Sequence, residues 1–211
     1  MTEQQGQRVP GQTAARIWNL PNALTMLRML MVPFFGWALL AEGGQSITLR
    51  LVAYALFAAA MITDKIDGDL ARRRNLITGF GEIADPIADK ALTGMAFVGL
   101  SLIGALWWWV TAVVLFREWG ITLLRFWVIR HGIIAASRGG KLKTLLQTFA
   151  LGLLILPLRL LTGPWATVGL VLWWIAVVLM AAAVAVTVVT GVDYIVKAVE
   201  VRRAGRAGAA K

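Results

Sequence analysis

Six of the eleven acidic residues in this 211-residue chain fall between positions 64 and 89, with apolar sequence on either side. Their spacing indicates what they could do. On a helix of 3.6 residues per turn, with Asp64 at 0°, Asp67 lies at about −60°, Gly68 at about +40°, Ala71 at about −20° and Arg72 at about +80°. Two carboxylates and two small residues thus share one arc, with a guanidinium at its edge. Asp69 falls at about 140°, on the side of Lys65 and Arg73. Further on, Asp85 and Asp89 are four residues apart and Gly81 precedes Asp85 by one turn, so these three also share a face.

Four carboxylates converging from two helices repel one another in a low-dielectric site. Either they share protons, as in a proton relay, or bound cations neutralise them. All-oxygen ligation suits Mg²⁺ or Mn²⁺, which also bridge phosphates. Two such ions between two helices would make a site for phosphoryl transfer. Gly68, Ala71 and Gly81 would then let a bulky phosphate ligand approach the helix backbone. Small residues also permit close helix packing, but beside four facing aspartates the ligand reading is the stronger one.

The composition dictates what must hold these groups. The chain is 59% hydrophobic and 15% charged, with a mean hydropathy of +0.73. Soluble domains run at about 45–50% apolar and about 25% charged, so an ordinary soluble domain is excluded. There is no cysteine and one histidine, which excludes a disulfide framework, thiolate chemistry and a polyhistidine metal site. A net charge of +10 would point to nucleic acid in a soluble protein. In a membrane protein it is topology signal and attraction to anionic headgroups, so no nucleic-acid partner is expected. The ten tryptophans fit interfacial belts better than base stacking.

Apolar runs cover residues 23–41, 51–63, 82–105, 106–129, 142–161 and 165–196. The second run would reach only about 20 Å across a hydrocarbon core of about 30 Å. Its helix must therefore continue through DKIDGDLARRR, which brings the aspartates to the membrane–water boundary, before a break at RNLITGFG. Only Arg50 and Arg159, of 21 basic residues, lie in the loops after the first, third and fifth runs. The positive-inside rule then places both termini, and the acidic site, on the cytoplasmic side of the cell membrane. The expectation is an all-α integral membrane protein of six transmembrane helices. It comprises a cytoplasmic arm with a short interfacial segment (1–20), a six-helix catalytic unit (21–200) and a basic, disordered cytoplasmic tail (201–211).

Residues 64–89 read D-x2-D-G-x2-A-R-x8-G-x3-D-x3-D. This stretch resembles the signature of the CDP-alcohol phosphotransferase family, membrane enzymes that make phospholipids from CDP-activated lipids or alcohols. The resemblance extends through NLPNALTMLRMLMVPFF, DPIADK, REWGITLLR and GGKLKT. Together these look like the branch that joins CDP-diacylglycerol to sn-glycerol 3-phosphate, giving phosphatidylglycerophosphate and CMP. The resemblance implies a six-span homodimer among membrane lipids, with a cavity open to the cytoplasm and two divalent ions, Mg²⁺ or Mn²⁺. It implies that Asp64, Asp67, Asp85 and Asp89 hold metal. Asp89 is also implied as general base, and Asp67, Gly68, Ala71, Arg72 and Gly81 as the lining of the nucleotide pocket.

An acceptor phosphate needs cations of its own. Arg117, Lys141 and Lys143 are the expected set, though each also reads as an ordinary positive-inside charge. Arg28 is open between a site contact and snorkelling. Glu82, about 60° from Asp85, either perturbs the site or faces a neighbouring helix, and His131 reads as an interfacial loop residue. Close rivals are sibling enzymes using inositol phosphate or phosphatidylglycerol. Pro86 and Lys90 in DPIADK argue against the inositol-phosphate branch. A cation transporter would place acids near mid-bilayer on several helices, whereas here they cluster at one end of two.

Overall fold

The computed structural model describes residues 20–74, 79–128 and 138–209. Six long helices account for most of them: α1 (Leu20–Leu40), α2 (Ile47–Arg74), α3 (Gly79–Leu102), α4 (Trp108–Val128), α5 (Arg138–Ile155) and α6 (Trp165–Ala209). Helices are what apolar runs of this length must form in a bilayer, where each backbone donor and acceptor needs an internal partner. Pro21 sits in the first turn of α1, where a missing N–H costs nothing. Pro33 lies inside that helix and leaves one carbonyl of the preceding turn without its helical donor.

Short turns join the helices at the end of the bundle remote from the acidic stretch. Between α3 and α4 the chain reverses at Gly104, whose φ of +70° is open to glycine at little cost. The Ala105 and Leu106 amides both donate to the Leu100 carbonyl, at 2.8 and 3.1 Å, and so satisfy the end of α3. Single turns of 3₁₀ helix follow α1 (Ala41–Gly44) and α5 (Leu158–Leu160).

α1 packs chiefly on α2 and α3, and α6 on α5 and α4; α5 touches α2 and α3 and so joins the two groups. Phe35, Leu39, Phe57, Leu92, Phe97, Leu100, Leu151, Leu154 and Ile155 fill the crossing region, with alanines 53, 60, 96, 150 and 176 where backbones approach. The outer surface is apolar as well, with Trp37, Phe116, Val178 and Val189 among its exposed side chains. An apolar exterior around a core that also holds charged groups is the pattern of a protein dissolved in lipid.

One basic residue expected only to mark topology is built into the fold. Arg50, near the start of α2, is 7% exposed. Its Nε donates to the Ile155 carbonyl at 2.7 Å, and its Nη2 to those of Leu154 and Leu156 at 2.6 and 3.1 Å. These are carbonyls that a helix C-terminus leaves without intrahelical partners. Nη1 adds a longer bond, 3.4 Å, to the Gly44 carbonyl. Arg159 stacks on the Trp173 ring at 5.0 Å.

Among the described residues, four helical stretches are long and apolar enough to cross a membrane: Leu20–Gly44, Ile47–Ile66, Leu142–Leu160 and Trp165–Val196. The chain is a multi-pass membrane protein on that basis. α3 and α4 fall short of the same measure, and the reason is chemical. α3 carries Glu82, Asp85, Asp89 and Lys90, and α4 carries Arg117, Glu118 and Arg125.

α2 does continue through the acidic stretch, to Arg74; it also begins at Ile47, four residues before the apolar run, so that Ile47–Ile66 already has the length of a span. The tail expected to be disordered is instead the end of α6, helical to Ala209. Its alanines and arginines are strong helix formers and no proline interrupts it. Two glycines, at about 1 kcal/mol each, do not outweigh that. The arm before Leu20 and His131 lie outside the described residues.

Candidate active site

Two helices bring the acids to one end of the bundle. Asp64 is on α2, and Asp85 and Asp89 are on α3. Opposite them, α1 presents Asn22, Thr25 and Arg28, all buried and spaced at three-residue intervals along one helix face. Arg28 is 1% exposed, and its Nη1 lies 2.5 Å from Asp64 Oδ1. A snorkelling arginine would reach for water; this one reaches inward, to a carboxylate. Thr25 Oγ1 sits 2.5 Å from Asp85 Oδ1 and 3.1 Å from the Pro21 carbonyl. α1 thus supplies a cation to one aspartate and a hydroxyl to the other.

Asp89 is acted on by two groups of charges, Asp64 with Arg28 and Glu118 with Lys143. The second group links three helices. Lys143, on α5 and 5% exposed, donates to Glu118 Oε1 on α4. Arg117 Nη1 donates to the same oxygen at 3.1 Å, and its Nη2 to Thr190 Oγ1 on α6 at 3.0 Å. Arg117 Nε is buried with no hydrogen-bond partner among the described residues, as is Oε1 of Gln147, one turn along α5 from Lys143. Gly191 makes this packing possible. A Cβ there would stand 3.3 Å from Arg117 Cγ, so α6 approaches the arginine stem over bare backbone.

Lys90 turns away from the acids. Its Nζ donates to Thr122 Oγ1 at 2.6 Å and lies 5.4 Å from the Trp119 ring centroid. Thr122 in turn donates to the Glu118 carbonyl at 2.8 Å.

Of the residues expected from sequence, Asp64 and Asp89 interact electrostatically, Asp85 is held by Thr25, and Arg117 and Lys143 share one carboxylate. Gly81 is buried on α3. Asp67, Gly68, Ala71 and Arg72 are on α2, Glu82 on α3 and Lys141 on α5, but their side chains lie outside those described. Sequence reading missed Asn22, Thr25, Glu118 and Thr190. For the first two the signal was polar residues recurring every three positions along an apolar run ending in Arg28. For Glu118 it was an acid inside an apolar run, the very feature that drew attention to the aspartates.

Among the described residues no three acidic or histidine side chains close into a ready metal cage. The donor chemistry still fits a hard divalent cation. The available ligands are carboxylate oxygens, and in this arrangement Arg28 pairs with that of Asp64 and Thr25 bonds that of Asp85.

A polytopic helical protein with carboxylates gathered at one end, and buried cations beside them, is a membrane enzyme for phosphate-bearing substrates in its general class. The comparison with known proteins is specific. Residues 18–189 match the model of the CDP-alcohol phosphatidyltransferase family, and the chain belongs to that family. It is 54% identical over 190 residues to a Mycobacterium tuberculosis protein named probable phosphatidylglycerophosphate synthase, covering 89% of this chain and 86% of the relative. It is 36% identical over 194 residues to the CDP-diacylglycerol–glycerol-3-phosphate 3-phosphatidyltransferase of Bacillus subtilis, covering 86% and 95%. The Rickettsia typhi protein of the same name is 38% identical over 181 residues, covering 83% and 94%.

Proposed function

We propose that this enzyme transfers the phosphatidyl group of CDP-diacylglycerol to sn-glycerol 3-phosphate, releasing CMP and giving phosphatidylglycerophosphate. The observation that carries the proposal is that Asp89 feels both the Asp64–Arg28 pair and the Lys143–Glu118 pair. A base for an acceptor hydroxyl must be within reach both of the donor's phosphates and of whatever holds the acceptor. The names of the relatives support the same reaction.

In this reading Asp67, Gly68, Ala71, Arg72 and Gly81 receive the nucleotide end of the donor. Two divalent ions, Mg²⁺ or Mn²⁺, held by Asp64, Asp67, Asp85 and Asp89, would neutralise the pyrophosphate and stabilise CMP as it leaves. Arg28 and Thr25 fix the rotamers of Asp64 and Asp85, so these carboxylates are aimed before substrate arrives. Arg117, Lys141 and Lys143 take the acceptor's phosphate, and the unspent Nε of Arg117 is a donor available for it. Asp89 accepts the proton of the attacking hydroxyl. The hydroxyl oxygen bonds to the β-phosphorus as the bond from that phosphorus to the CMP oxygen breaks. The reaction is placed on the cytoplasmic side of the cell membrane by the distribution of basic residues, in a homodimer as the family resemblance implies.

The test is purified protein with labelled CDP-diacylglycerol and a panel of acceptors: glycerol 3-phosphate, inositol phosphate and phosphatidylglycerol, with CMP release as readout. Release with glycerol 3-phosphate alone is expected. Release only with another acceptor would overturn the choice of acceptor, and no release with any of them would overturn the reaction.

A further inference from the structure

We propose that Glu118 is a positioning residue for the acceptor, acting through Lys143 and Arg117. The inference rests on the reading that these two cations bind the acceptor's phosphate. Three observations carry it.

The first is geometric. Lys143 comes from α5 and Arg117 from α4, yet both donate to one oxygen, Glu118 Oε1. A single carboxylate therefore sets the separation of two cations on two helices. The second is burial. An ammonium 5% exposed on a flexible four-carbon stem has no fixed place in an apolar surrounding without a counter-charge. Glu118 supplies that charge and leaves the three side chains with a net charge of +1, which still favours an incoming phosphate. The third is bracing. The Glu118 carbonyl accepts from Thr122, and Thr122 accepts from Lys90, the neighbour of Asp89. The turn of α4 that holds the cations is thereby tied to the turn of α3 that carries the base.

An acid does not itself attract a phosphate, so Glu118 acts by holding the groups that do. Its removal should be felt in acceptor binding and not in chemistry. Glu118→Gln keeps the size and one oxygen but removes the charge. KM for glycerol 3-phosphate is expected to rise at least about tenfold, the effect of one charge-assisted contact. Both kcat and KM for CDP-diacylglycerol should stay within about threefold of the parent. Glu118→Asp, which keeps the charge, should show a smaller rise than Glu118→Gln; it also serves as the working variant should Glu118→Gln fail to fold.

The decisive measurement is the double variant. If Glu118 works through these cations, then Glu118→Gln combined with Lys143→Ala should raise acceptor KM by clearly less than the product of the two single effects, because one of the two residues being positioned is gone. Multiplying effects would mean the two act separately, and the proposal falls. It falls equally if Glu118→Gln leaves acceptor KM unchanged, or lowers kcat and weakens both substrates alike. Lys143→Ala separates this failure from that of the underlying reading. If Lys143→Ala raises acceptor KM and Glu118→Gln does not, only the positioning role is lost. If Lys143→Ala leaves acceptor KM unmoved, the assignment of the phosphate site falls as well.

Discussion

Replacing Arg50 by methionine should destabilise the protein sharply without touching its chemistry. Arg50 makes three bonds of 2.6–3.1 Å to the carbonyls of Leu154, Ile155 and Leu156 at the end of α5. Methionine fills much of the same volume and donates nothing. Each carbonyl left without a partner costs about 1–3 kcal/mol. Water at the membrane boundary recovers part of this, so a total of about 3–5 kcal/mol is expected, the range for breaking a buried charged contact. For a chain of this size each kcal/mol moves the melting temperature by about 2–4 °C, which gives a fall of roughly 6–20 °C. Arg50→Lys should recover less than half, because an ammonium cannot fork across three carbonyls. Intrinsic fluorescence of the ten tryptophans, followed on heating in detergent, measures it directly. At low temperature kcat should be unchanged, since Arg50 and Asp64 are about 21 Å apart along α2. A melting temperature within 2 °C of the parent would refute the reasoning and leave Arg50 as a mere topology marker.

Chelation gives a second test. Activity should vanish in EDTA and return with Mg²⁺ or Mn²⁺, and full turnover in a metal-free preparation would exclude the two-ion mechanism. A third compares neighbours on α2. Asp67→Asn should lose at least about two orders of magnitude in kcat, while Asp69→Asn, about 140° around the helix from Asp64 and about 160° from Asp67, keeps most activity. Equal losses would mean that the helix does not present these two residues to different sides.

What could be read from the sequence depended on whether length or partner decided the matter. The continuation of α2 to Arg74 was expected because thirteen apolar residues cannot cross a bilayer; the helix does continue, but it also starts earlier, at Ile47, which the apolar count alone did not show. That Asp85 and Asp89 share a helix face followed from their spacing of four on α3. Arg28 could not be settled that way. An arginine near the end of an apolar run snorkels or pairs depending on what another helix offers, and Asp64 lies 36 positions away. Arg50 posed the same problem in reverse, since its partners are backbone carbonyls, which no residue pattern marks. Glu118 was legible and overlooked: a lone acid between Arg117 and Trp119 reads as balanced by its neighbour, although it also serves a lysine 25 positions on. The last turns of α6 differed from expectation because glycine and arginine content resembles that of a tail, while the helical preference of the intervening alanines prevails.

The Arg50 contact also bears on how this family's history should appear in its sequences. Arg50 recognises main chain, and any residue at positions 154, 155 or 156 offers the same carbonyl. Those positions are free to drift among apolar types without any compensating change at position 50, which itself tolerates little besides a forked donor. Correlated substitution between 50 and 154–156 should therefore be absent, although the contact fixes α2 against α5. Arg28 with Asp64 and Lys143 with Glu118 are joined side chain to side chain, and those pairs should change together or not at all. A contact map drawn from covariation would recover those two pairs and leave the Arg50 contact blank. That blank would record a bond made to the peptide group, the one part of the chain that substitution does not alter.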